Sequence, residues 1–308
     1  MPTATEFFGI TAHNLGPLTT TYTAPSSCAT NLNYHVFVNA TSPHDLLAVP
    51  SCSWPKYGDC VPSAKEWELT DQQTTTFYQG TSVFFSPGIA CPAGWNTVGL
   101  LAHTESGKFS ASGVLATPAP KLEYEEGLPE LVYPTDYWKN MLDESETFAY
   151  CCPSGYGGNV YGECSSLLGP VSSYTYSEIC QRYGRGGQLT IISSVDGLTY
   201  TDGVLSLIEP TRAYEVTSTA MLDLGELQQE TGNGFSDIAI ASWTPAIPLV
   251  YKKSDMDKGD SDDSETGSTA VTGEGSGESA ASTVQRQSFI SVLGLALGIL
   301  AGGGMLFF

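Results

Sequence analysis

The chain has 308 residues and a formal net charge of -21, with 33 acidic against 12 basic side chains. That balance argues against nucleic acid as a partner, because phosphates would be repelled. It also keeps an exposed surface soluble, and roughly 250 residues before the tail suffice for one large domain or two small ones.

Residues 1–27 are rich in Thr and Pro and read as an extended lead-in. They carry no secretory signal. There is no basic n-region, and the apolar run Phe7-Phe8-Gly9-Ile10 falls short of the roughly 7–15 residues such a signal needs. The route of export therefore stays open between a leader upstream of Met1, unconventional export and a cytosolic bulk.

From residue 28 the chain reads as short strands between turn signals. Leu32 to Val38, Thr74 to Gln79, Val83 to Phe85, Trp95 to Leu101 and Gly113 to Ala116 are the first set. β-branched and aromatic residues dominate them, and no long 3.6-period apolar stripe interrupts them. Residues 119–146 hold many carboxylates and several prolines, and read as an exposed loop or a linker between halves. Strand-like runs resume at Thr147 to Tyr150, Gln188 to Ser193, Val216 to Leu224 and Ile238 to Trp243, with Pro245 and Pro248 closing the last. The fold class that follows is mainly β: a β-sandwich-like domain over 28–250.

Residues 251–288 change composition to Ser, Thr, Gly and acid, with almost nothing to bury, and read as a disordered stalk. The run from Asp255 has its glycine one position early and Thr266 where a calcium loop needs Glu, so no EF-hand is expected. Residues 289–308, FISVLGLALGILAGGGMLFF, carry no charge. Twenty such residues as a helix span about 30 Å, the hydrocarbon thickness of a bilayer.

Two mechanisms fit that tail. A lipid-anchor signal needs small residues at the attachment site, a polar spacer and an apolar end. Ser279-Ala280-Ala281 supplies the triplet, with Gly275 and Gly277 as alternatives. A retained helix is the rival. Gly294, Gly298 and Gly302 recur every four residues, a spacing that lets two helices approach closely. Arg286 on its flank would place the bulk of the chain in the cytosol.

Eight cysteines, Cys28, Cys52, Cys60, Cys91, Cys151, Cys152, Cys164 and Cys180, all precede residue 181. Their spacings of 24, 8, 31, 60, 1, 12 and 16 contain no pair of zinc-type pairs, so disulfides are expected. Connectivity is not readable among about a hundred possible pairings. Adjacent Cys151 and Cys152 cannot easily bond to each other, so each should reach a different partner. Asn39-Ala40-Thr41 is a glycosylation sequon.

Two phrases stand out, Cys91-Pro92-Ala93-Gly94-Trp95 and Cys151-Cys152-Pro153-Ser154-Gly155-Tyr156. A disulfide pins the strand, Pro sets φ, Gly allows the turn and the aromatic covers the bridge. With the phrase Leu18-Thr19-Thr20-Thr21-Tyr22-Thr23-Ala24-Pro25 before the first cysteine and the stalk and membrane segment at the end, the chain resembles a broad group of fungal cell-surface proteins. It departs from many of them in ending at the membrane segment. The resemblance implies location and architecture, and no catalytic residue.

Catalytic signatures are missing. There is no Gly-x-Ser-x-Gly elbow, phosphate loop, His-Glu-x-x-His helix or dinucleotide fingerprint, and no cofactor or metal is expected. His13, His35, His44 and His103 are scattered, and the carboxylates Glu123, Glu125, Glu126 and Glu130 read as a solvated charge run. Among the five tryptophans, Trp54 and Trp67 lie in a turn-rich stretch and are the candidates for glycan stacking. The expected role is structural, adhesive or weakly glycan-binding at the cell surface, with cell-wall glycans and the membrane as partners. A wall-polysaccharide enzyme and a tail-anchored protein facing the cytosol are the alternatives.

Overall fold

The computed structural model describes residues 2, 5–28, 34–52, 57–62, 77–78, 80–104, 107–118, 132–184, 188–195, 197–208, 214–224 and 237–259. In chain order these form β1 (Glu6–Phe7), β2 (Ile10–Asn14), β3 (Tyr34–Asn39), β4 (Ser42–Ala48), β5 (Phe77–Tyr78), β6 (Gly80–Phe84), β7 (Trp95–His103) and β8 (Phe109–Gly113). Helix α1 (Pro134–Met141) follows, then β9 (Glu146–Pro153), β10 (Gly157–Gly158), β11 (Glu163–Pro170), β12 (Glu178–Gly184), β13 (Gln188–Val195) and β14 (Leu198–Ile208). The last elements are β15 (Tyr214–Met221), β16 (Ile238–Pro245), β17 (Ile247–Lys252) and α2 (Lys253–Gly259). The fold is mainly β, as the run of β-branched and aromatic segments predicts.

Two sheets position everything else. One runs β17-β9-β7-β8 and the other β10-β11-β16-β3-β4, both antiparallel throughout. Strand β9 is central to the first. Its alternation sends Phe148, Tyr150 and Cys152 into the main core and Ala149 and Cys151 into a second core on the opposite face. In the second sheet, Val36, Val38, Ala239 and Ala241 share one face, and Phe37 and Ile240 the other. Ser165 Oγ in β11 donates to the Pro43 carbonyl of β4 at 2.7 Å.

Four elements depart from the sequence reading. The lead-in contributes β1 and β2, and Phe7, Phe8, Ile10 and Ala12 are buried in the main core. Within 119–146, residues 134–141 form a helix, with Pro134 in its first turn, where a missing N–H costs nothing. Trp138 of that helix is wholly buried, stacked on Phe148 at 4.0 Å and edge-on to Phe84 at 5.7 Å. Of Gly113 to Ala116, only Gly113 belongs to a strand, as the last residue of β8: its φ of +58° ends the strand and Val114–Ala116 coil into a single 3-10 turn.

Pro248 does not end the sheet: it lies inside β17, opposite Tyr150. β17 is the sheet edge, and its even-numbered residues turn their backbone groups outward. There Phe85 N–H donates to the Pro248 carbonyl and Val250 N–H to the Phe85 carbonyl. The proline ring therefore interrupts no bond to β9.

The first residues assigned to the stalk also differ. Lys252 N–H donates to Asp255 Oδ2 at 2.8 Å, half of a capping box, and Lys253–Gly259 continue as α2. Lys252 Nζ lies 3.8 Å from Glu146 Oε1, a fully buried carboxylate whose second oxygen accepts from Asp143 N–H at 2.9 Å. The rest of the stalk, the tail and the acidic run 121–131 lie outside the described residues.

Candidate functional site

All eight cysteines are paired: Cys28–Cys60, Cys52–Cys180, Cys91–Cys151 and Cys152–Cys164. Neighbouring Cys151 and Cys152 point to opposite faces of β9 and bond to different elements, because successive strand side chains alternate. Cys151 ties β9 to the segment entering β7, and Cys152 ties it to β11 of the other sheet. Cys52–Cys180 joins the segment that follows β4 to β12, and Cys28–Cys60 closes the lead-in onto a 3-10 turn.

The two cysteine phrases fold alike and lie side by side. Trp95 N–H donates to the Pro92 carbonyl and Tyr156 N–H to the Pro153 carbonyl, both at 3.0 Å. Gly94 and Gly155 hold φ of +78° and +85°. These are type II β-turns with Pro at the first position and Gly at the third, where the turn requires a positive φ. Ser154 N–H donates to the Gly94 carbonyl at 2.8 Å, and Asn96 Nδ2 to Ser154 Oγ at 3.1 Å, so the turns clasp each other. Trp95 packs against the cluster that holds Cys151, and Tyr156 against the one that holds Cys152 and Cys164. Tyr156 OH and Ser242 Oγ, 2.6 Å apart, link this turn to β16.

An aromatic group lies on the second sheet. His35 and Phe37 of β3 face Tyr174 and Tyr176, which precede β12. The tyrosine rings are near-parallel, 12° apart with centroids at 6.0 Å, and His35 meets both edge-on. His35 Nδ1 and Tyr176 OH share a short hydrogen bond. Partial burial lowers the His35 pKa and raises that of Tyr176, so both are neutral near pH 7. Phe37 is fully buried, while His35, Tyr174 and Tyr176 are half-buried and Ser172, Ser173, Thr175 and Ser177, next to the tyrosines in sequence, are exposed. Partly exposed aromatic rings with exposed hydroxyls beside them in the chain offer both kinds of contact a sugar makes, stacking on its apolar C–H face and hydrogen bonds at its edges.

The stacking candidates Trp54 and Trp67 lie outside the described residues, as do Ser279, Gly275, Gly277, Gly294, Gly298 and Gly302. Trp243 is half-buried against Tyr34, and Trp138 is core. Asn39 ends β3, with Oδ1 accepting from Thr41 N–H at 3.1 Å and Thr41 Oγ1 at 2.8 Å. His13, His35 and His103 sit on separate strands, and among the described residues no cluster of three potential metal ligands occurs. The tyrosine pair escaped sequence reasoning. Its signal is the alternation Tyr174-Thr175-Tyr176, but its partner His35 is 141 positions away. Also among the described residues, no helix is long and apolar enough to cross a membrane. Comparison with family models, curated proteins and solved structures finds no match.

Proposed function

We propose that this is a membrane-tethered cell-surface or cell-wall protein with a structural, adhesive or weakly glycan-binding role. The observation that carries the reading is the complete pairing of eight cysteines into four bridges, which suits an oxidising compartment and not the cytosol. In this reading a β-sandwich-like domain stands on a disordered acidic stalk, N-glycosylated at Asn39 and held by the tail 289–308. The resemblance to fungal surface proteins agrees with it. The tail is exchanged for a lipid anchor at Ser279, with Gly275 or Gly277 as substitutes. The His35–Tyr174–Tyr176 group is the place where a wall glycan would rest.

The test is made on intact cells. A membrane-impermeant amine reagent should label the domain, and phospholipase specific for glycosylphosphatidylinositol should release it. No labelling of intact cells sinks the surface reading. Labelling without release, with the peptide from Gln287 to Phe308 still present by mass spectrometry, sinks the lipid anchor and leaves a spanning helix. Binding of wall polysaccharide that survives Tyr174→Ala with Tyr176→Ala removes the glycan role from that site.

A further inference from the structure

We propose that Asn39 is a folding-gated glycosylation site, open to a transferase only while β3 waits for its distant partner strand and closed once the domain has folded. This rests on the surface reading above and adds when the modification occurs. In the folded chain Asn39 is 8% exposed. It is paired on both sides, with Ser42 of β4 and with Ile238 of β16. Ala40 N–H donates to the Asp237 carbonyl at 2.9 Å, fastening the hairpin turn to the approach to β16.

Transfer joins Nδ2 to C1 of a sugar. The bond from C1 to a lipid pyrophosphate breaks, the lipid pyrophosphate leaves, and Nδ2 loses one proton. A transferase must grip both the side-chain amide and the hydroxyl two residues on. In the fold these satisfy each other, Thr41 Oγ1 donating to Asn39 Oδ1. Recognition therefore demands that the turn open. The hydrogen bonds that hold the Asn39 amide fall on Oδ1, whereas the atom that takes the sugar is Nδ2.

Topology sets the length of the open period. Val36 pairs with Ala241, and β3 gains its main partner only when β16 is made, some 200 residues later. At about 5–20 residues per second that is on the order of 10–40 seconds of synthesis. Sheet order makes β16 the inner neighbour of β3, and β4 alone forms a hairpin of marginal stability.

The test uses the full chain made without glycans, offered to oligosaccharyltransferase with a lipid-pyrophosphate oligosaccharide. It is presented once native and once reduced and unfolded, with Asn39 occupancy read by mass spectrometry of its peptide. The expected result is modification of the unfolded chain, slower by about tenfold or more in the native one. Equal rates overturn the gating. Failure in both states overturns Asn39 as an acceptor altogether, while the cell-labelling experiment still decides the surface reading on its own. Thr41→Ala should abolish transfer to the unfolded chain, and transfer that persists also overturns the proposal.

Discussion

Removing each of the two bridges that meet at β9 should destabilise the domain by different amounts. Cys91 and Cys151 are separated by 60 residues, Cys152 and Cys164 by 12. Loop-closure entropy assigns about 4 kcal/mol to the longer loop and about 3 kcal/mol to the shorter, a gap of roughly 1.4 kcal/mol. Packing works the other way. Cys151, Cys152 and Cys164 are fully enclosed, whereas Cys91 is partly exposed. Losing a methyl-sized volume costs about 1 kcal/mol, so the entropic order survives, narrowed. The variants are Cys91→Ala with Cys151→Ala, and Cys152→Ala with Cys164→Ala. Each is unfolded in urea with tryptophan fluorescence and calorimetry as readouts. At roughly 2–4 °C per kcal/mol for a domain of this size, melting should fall by about 8–16 °C for the first pair and less for the second. If the second pair costs as much as the first, the chain-entropy reasoning fails. No change in either variant would mean the bridges are not formed.

Other outcomes follow from single positions. Gly94→Ala and Gly155→Ala should each cost about 1–2 kcal/mol, because both have positive φ but open space around an added Cβ. Gly113→Ala should cost more than about 4 kcal/mol, since its Cβ would sit 2.0 Å from the Val98 carbonyl oxygen; similar midpoints for all three would contradict this. Trp138→Ala should cost about 3–5 kcal/mol by denaturant unfolding, and a loss under 1 kcal/mol would detach α1 from the core. His35 sets a pH dependence. Burial lowers its native pKa, so the unfolded chain takes up the proton first, near pH 6.5. Stability is therefore full above about 6.5 and falls as the pH drops from there to the native pKa. His35→Gln should show a smaller difference in urea midpoint between pH 7.5 and 5, and equal differences would refute the assignment.

Much of the β architecture was legible because β-branched and aromatic residues cluster in its strands, as they do over β3, β7, β9, β13, β15 and β16. What escaped notice had local signals that point the other way. β17 hides behind Pro245 and Pro248, because a sequence does not show which edge of a strand a proline faces. α1 has only eight residues set among carboxylates and prolines, and Trp138 belongs to the core through contacts with residues distant in sequence, Phe84 and Phe148 among them. The opposed partners of Cys151 and Cys152 follow from adjacency alone. The pairings themselves do not, since Cys52 meets Cys180 across 128 residues. The tyrosine group is likewise assembled by topology, with β3 and the segment before β12 brought together through β16.

The most direct measurement is proteolysis of the protein from its native source without reduction, followed by mass spectrometry of the linked peptides. Four bridges, Cys28–Cys60, Cys52–Cys180, Cys91–Cys151 and Cys152–Cys164, are predicted, with almost no thiol open to alkylation under denaturing conditions. Eight alkylated cysteines would contradict the account and return the domain to the cytosol.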